Sequence, residues 1–342
     1  MEEIKKIMLN AKPKWTEKTL NIYSSNFNKI HFKLGNQLED EPDFSYIEDY
    51  EKVIDFINNL APYGKPMKDS SKKNYYQSCM AMVEGMNGGK FTDKWEKLPE
   101  WIAYKDKVVE CNNDYKEKQA SGSLVGSQAD NVVSVLEIEN MMKDIYNSKI
   151  KNLKTKKTIE PNEIELLQFY LLMTLYKQYP VRNELSSLLL IGKREFNKLK
   201  KEKNDTENYI YVLGNKTFMI RNKYKTSTSS QSGGEKIDEI TGQAKTILNL
   251  WIRLVKPQDK LFPLLNPHTN PNSNNLLTLH LQKHTEKYLD KKISTTLLFK
   301  ILFGDVIENG TIKKLNNIAK VRGSNPSNVI NTYLNKEFSP TK

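Results

Sequence analysis

Apolar residues recur three and four positions apart in four successive stretches between Trp15 and Gln119, the spacing that lays one stripe along a helix. The first runs from Trp15 to about Lys33, with Thr16 as its cap and Leu20, Tyr23, Phe27 and Ile30 on one face. The second covers Tyr46 to Leu60 through Ile47, Tyr50, Ile54 and Ile57. The third follows a Pro-Tyr-Gly-Lys-Pro turn, carries Tyr76, Met80 and Val83 inward, and ends at Gly88-Gly89. The fourth, Pro99 to Gln119, repeats Trp101, Tyr104, Val108, Cys111 and Tyr115. Four such helices predict one compact helical domain over residues 15–120. The basic, proline-punctuated residues 1–14 read as a mobile lead-in, and the Ser/Gly-rich residues 121–128 as a linker.

Residues 129–342 read as a second, mainly α domain with one small antiparallel sheet. Helices are expected over Val135–Tyr146, Asn162–Tyr176, Ile247–Val255 and Leu276–Tyr288, with a basic loop at 149–157. Tyr209–Leu213 and Thr217–Ile220 are β-branched and aromatic and are separated by Gly214-Asn215, a strong hairpin signal. Lys236–Ile240 is expected to add a third strand.

The chain has 342 residues, and its 53 Lys and Arg against 41 Asp and Glu give a formal charge of +12. That excess makes a polyanion the expected partner class. The N-terminus lacks the apolar run of a signal peptide, and the longest apolar stretch, Ile164 to Tyr176, is too short to span a bilayer. Cys79 and Cys111 form neither a disulfide framework nor a metal cluster. The expected location is intracellular.

From Ile293 to Tyr333 the pattern is an apolar helix (Leu297, Leu298, Ile301, Leu302) broken at Gly304 and Gly310, then a short helix that stops at Gly323. A third segment follows and brings up Tyr333, ten residues beyond that glycine. Upstream, Pro180-Val-Arg-Asn-Glu-Leu185 sets Arg182 ahead of the hairpin, and Lys223-Tyr-Lys225-Thr follows the hairpin's second strand. Breaking a phosphodiester without a metal requires a nucleophile, side-chain cations for the charge at phosphorus, and an acid for the leaving oxygen. Arginine suits the phosphate because its planar fork donates two hydrogen bonds at once.

These boxes together resemble the tyrosine recombinases, the phage-integrase family. The Lys-Thr hairpin and Ile293-Ser-Thr-Thr-Leu-Leu are most similar to the divergent recombinases of large DNA viruses, virophages and related transposons. The resemblance implies a two-domain clamp on double-stranded DNA, with residues 15–120 as the core-binding domain and 129–342 as the catalytic domain. It implies Tyr333 as the nucleophile that forms a 3′-phosphotyrosine, Arg182 as the holder of the scissile phosphate, and Lys225, or alternatively Lys223, as the acid. A homo-tetramer on DNA and a reaction without metal or cofactor are also implied, in DNA integration or another site-specific recombination.

The chain departs from the family at three polar positions. Thr296 stands at the family's histidine, Phe299 at its second arginine, and Ser324 where His or Trp is usual. Lys300 and Arg322 are the candidates to restore the missing charge. Accordingly, the alternative is a recombinase-fold protein that keeps DNA binding without cleavage; a type IB topoisomerase shares the chemistry but fits the two-domain layout less well. His280 and His284 share a helix face without the glutamate or third ligand of a zinc site, and Ser232-Gly-Gly-Glu-Lys236 lacks phosphate-loop spacing. Nothing in the sequence points to a nucleotide cofactor.

Overall fold

The computed structural model describes residues 1–35, 43–120, 126–202, 206–228, 233–258, 260–263, 273–309 and 311–333. The protein is mainly helical with one four-stranded mixed sheet, and it divides into two compact units, Met1–Lys118 and Gln119–Lys342. Among the described residues no helix is long and apolar enough to cross a membrane.

The first unit holds helices α1 (Glu2–Ala11), α2 (Glu17–Leu34), α3 (Tyr50–Asn59), α4 (Asp69–Met86) and α5 (Pro99–Ala120). Thr16 caps α2 by accepting a bond from the Thr19 backbone, as its position before the apolar repeat predicts. Phe27, Ile30, Ile47, Val53, Ile57, Tyr76 and Tyr104 form the shared core. Residues 1–14 are not a mobile lead-in. Ile4, Met8 and Ala11 recur on one face of α1 and are buried. That face lies against α4, where Gly85 leaves room for the Ile7 backbone, Asn10 Nδ2 donates to Gly85 O at 2.9 Å, and Lys12 pairs with the buried Glu84. Burial of two large apolar side chains outweighs the cost of ordering a short charged segment.

The second unit begins in the expected linker, of which 121–125 lie outside the described residues and Gly126–Asn131 forms a 3-10 turn. It continues through α6 (Val135–Ile145), a π-helical turn (Tyr146–Ile150), α7 (Lys151–Leu153) and α8 (Pro161–Gln178). The basic segment at 149–157 is therefore helical as far as Leu153, because Ile150 and Leu153 are drawn into the core. Then come β1 (Leu189–Ile191), α9 (Lys193–Glu202), β2 (Tyr209–Leu213), β3 (Lys216–Arg221), β4 (Lys236–Glu239) and α10 (Gly242–Val255). The C-terminal part is α11 (Ser273–Leu289), α12 (Thr295–Asn309), α13 (Ile312–Arg322) and α14 (Pro326–Tyr333).

The sheet corrects the antiparallel expectation. Its order is β1-β2-β3-β4, and β1 pairs parallel to β2, with α9 as the crossover. The hairpin forms in the register Gly214-Asn215 predicts, pairing Leu213 with Lys216. Gly304 does not break α12, which runs unbroken to Asn309 with Gly304 buried inside it. Gly323 does end α13, in the left-handed conformation at φ 62°.

Candidate anion-binding cleft

Below α8 the chain turns through Tyr179-Pro180-Val181 into a 3-10 turn, Asn183–Ser187, and this turn presents Arg182. Tyr176 fixes it by donating its hydroxyl hydrogen to Arg182 O at 2.9 Å. Burial holds the Tyr176 phenol well above its ordinary pKa, with Glu184 nearby adding to the rise and Arg322 opposing it. The Arg182 guanidinium reaches across the unit: Nη1 donates to Arg322 O at 2.9 Å and Nη2 to Ser324 Oγ at 2.6 Å. Arg322 reciprocates, its Nη1 donating to Val181 O at 3.1 Å, and its guanidinium carbon lies 3.7 Å from the centre of the Phe299 ring. Arg182 thus holds the backbone of Arg322, and Arg322 holds the Pro180-Val181 backbone that leads into Arg182.

Three consecutive carbonyls at the C-terminus of α13 each receive a side chain from elsewhere. Val321 O accepts from Arg221 Nη2 at 2.5 Å, Arg322 O from Arg182, and Gly323 O from Thr226 Oγ1. Helix ends leave such carbonyls without intrahelical partners and carry partial negative charge, so two guanidinium groups there are doubly favourable. Arg221 is fully buried and also pairs with Asp238 Oδ2 at 3.0 Å, which offsets part of its desolvation.

The turn after β3 completes the cleft. Tyr224 lays its ring against Gly323, where a Cβ would collide with it, and donates to Gly234 O at 2.7 Å. Its pKa is raised by burial, against the lowering influence of Arg221 and Arg182. Lys223 and Lys225 flank it. Together with Arg182, Arg322, Thr296 and Glu184 they line an open cleft of about 650 Å³. Among the described residues, four cationic side chains there face two carboxylates, Glu184 and Glu207, and Glu207 lies 3.5 Å from Lys223 Nζ. Such a donor set can hold an oxyanion by charge and offer it guanidinium and ammonium protons.

The structure brings Arg182, Lys223, Lys225, Arg322 and Thr296 to one cleft. Lys300 is directed elsewhere, donating to Gln128 Oε1 at 3.2 Å, since one residue along a helix from Phe299 turns the side chain by about 100°. Phe299 is buried and serves as the platform for Arg322, and Ser324 is the acceptor for Arg182. Tyr333 ends α14, a helix that packs on α12 and α13; its side chain lies outside the described residues. Ser232, the start of the rejected phosphate-loop stretch, also lies outside them.

Sequence reasoning missed Asn208, Arg221 and Thr226, which build the cleft's frame. An inward position in β3 that carries arginine was the available sign for Arg221. Asn208 and Thr226 are ordinary turn residues until their partners are known.

His280 and His284 sit at the core edge of α11, with Phe169 stacked on His284 at 4.8 Å. Burial pulls the pKa of His280 to about 3 and that of His284 to about 4. Among the described residues no group of three or more His, Cys, Asp or Glu side chains is placed to hold a metal. The site is thus an arginine- and lysine-lined cleft on a mainly helical unit with a small mixed sheet. Compared with family profiles, curated proteins and solved structures, the chain matches none.

Proposed function

We propose that this protein is a DNA strand transferase of the tyrosine-recombinase type, cutting and rejoining duplex DNA as an integrase or site-specific recombinase does. One observation carries the reading: Arg182, the Lys223–Lys225 turn and Arg322, distant in sequence, line a single cleft. In it a scissile phosphate is held by Arg182. The Tyr333 phenol gives its proton to solvent, and its oxygen bonds to phosphorus. The P–O5′ bond breaks with its electron pair on O5′, and a lysine of the turn, Lys225 or Lys223, protonates that oxygen. The product is a 3′-phosphotyrosine and a free 5′ hydroxyl, which attacks in turn on rejoining. In this reading the two units are the core-binding and catalytic domains of a DNA clamp that assembles as a tetramer.

Arg322 replaces the cation that Phe299 does not supply, and the Phe299 ring seats it. Incubation with a nicked duplex, followed by a detergent quench, tests the reading. A covalent protein–DNA adduct is expected from the unaltered chain and is expected to vanish in Tyr333→Phe. Salt-sensitive binding with no adduct from the unaltered chain contradicts cleavage and identifies a DNA-binding module that has lost it.

A further inference from the structure

Asn208 immediately precedes β2 and is 1% exposed. Its backbone carbonyl accepts the Leu189 N–H at 2.9 Å and so joins β1 to β2. Its side chain is spent on the lysine turn. Oδ1 accepts the backbone N–H of Asn222 at 2.9 Å and of Lys223 at 2.8 Å. Nδ2 donates to Lys223 O at 2.7 Å and to Ser187 Oγ at 3.3 Å. A carboxamide has two acceptor sites and two N–H donors, and here all four are used. One buried side chain therefore grips both the N–H and the carbonyl of Lys223, just where the β3 ladder has ended at Arg221. The other side of the turn is held by Tyr224 on Gly323 and by Thr226 on the Gly323 carbonyl.

We propose that Asn208 is the positioning residue of the proton-donating lysine: it fixes the base of the Lys223–Lys225 turn so that an ammonium group meets the leaving oxygen in the cleft. This rests on the strand-transfer reading above. An amide suits the task and a carboxylate does not. Aspartate would accept the same two N–H groups, but it would set a lone pair against the Lys223 carbonyl and lose the bond to Ser187. With a flexible four-carbon stem, a lysine's reach is set by where its backbone is held, and a misplacement of about 1 Å costs on the order of a hundredfold in rate.

Two nicked duplexes test the assignment with the full-length chain. One carries the ordinary 5′ oxygen at the scissile bond, and the other a bridging 5′ sulfur. A thiol is far more acidic than an alcohol, so the sulfur leaves as a thiolate without a proton donor. Asn208→Ala and Asn208→Asp are expected to slow adduct formation on the oxygen substrate about a hundredfold, and to react with the sulfur substrate at close to the unaltered chain's rate. Arg182→Ala is expected to be slow on both. The assignment is overturned if the Asn208 deficit is equal on the two substrates, if there is no deficit, or if neither variant folds. An unaltered chain that forms no adduct on either substrate removes the strand-transfer reading itself, which is a different outcome from active protein with indifferent Asn208 variants.

Discussion

Two clefts of the second unit are edged with basic residues, and they differ in what those residues are bound to. In the cleft described above, Arg182 and Arg322 spend their hydrogen bonds on backbone carbonyls and a serine hydroxyl, which carry no formal charge. A second cleft, of about 570 Å³, is lined by Lys149, Lys156, Lys283 and Lys287 around Leu166, His284 and Tyr288. There Lys156 pairs with Glu163 at 2.6 Å and Lys283 with Glu165 at 2.7 Å, and the bond from Lys283 holds the Glu165 carboxyl below its ordinary range. Its one histidine, His284, is held neutral by burial, as is the neighbouring His280. A count of cations does not separate the two clefts. What separates them is the pair of arginines: carboxylates face lysines in both clefts, but only in the first do dipoles orient guanidinium groups without cancelling their charge.

The largest expected effect separates the two clefts outright. Arg182→Ala is expected to slow covalent adduct formation by on the order of a hundred- to a thousandfold, whereas Lys283→Ala leaves the rate unchanged. Single-turnover kinetics on a nicked duplex measure both, and equal losses would erase the distinction.

Next is Arg322→Ala, with an expected loss of about a hundredfold if its fork meets the phosphate. A substrate with a neutral methylphosphonate at the scissile position needs less positive charge, so the loss is expected to shrink on it. A loss of the same size on both substrates would make Arg322 purely a strut for the Pro180–Val181 turn. The same variant leaves the Val181 carbonyl without its donor, at a cost of about 1–3 kcal/mol that urea unfolding would register.

The second cleft supplies a pH signature. His280 and His284 are neutral when folded but take up protons when unfolded below about pH 6.5. In that window the unfolded chain binds more protons, so stability falls as pH drops from about 6.5, towards about 4 for His284 and about 3 for His280, and levels off below. Glu165 beside them opposes the depression, while Lys283 favours it for both and Lys287 for His284. Thermal melts across this range are expected to show a weaker slope in His284→Phe; an unchanged slope would assign the acid sensitivity elsewhere.

Smallest is the salt effect. Lys225→Gln is expected to reduce the dependence of DNA binding on log salt by about 0.9 for a phosphate that is no longer neutralised, and Lys223→Gln, whose ammonium lies 3.5 Å from Glu207, by less. Lys156→Gln with Lys283→Gln, whose charges are already paired, is expected to leave it nearly unchanged.

Much of the helical pattern was legible because it depends on local spacing: α2, α5 and α8 lie where apolar patterning predicts them, and α10 ends at the expected Val255 but begins at Gly242, ahead of the expected Ile247. The hairpin was legible because Gly214-Asn215 fixes a turn type without help from tertiary contacts. α1 was missed because paired Glu and Lys residues mask a buried face of only Ile4, Met8 and Ala11. β1 was missed because a three-residue Leu-Leu-Ile run has no periodicity, and it is made a strand only by pairing with Tyr209–Tyr211. At the site, Arg182 and the lysine pair could be read from their boxes. The seat of Arg322 on Phe299 could not, since it joins α13 to α12 through an interaction that no local spacing encodes. Asn208 was hidden for the same reason: its four bonds reach 187, 222 and 223.

The decisive measurement is the chemical identity of the residue joined to DNA. After reaction with a nicked duplex, nuclease trimming and proteolysis, mass spectrometry is predicted to find the nucleotide on the peptide that contains Tyr333, at that phenol. Attachment at any other tyrosine, or unmodified peptide from protein that binds the duplex fully, would contradict strand transfer through Tyr333.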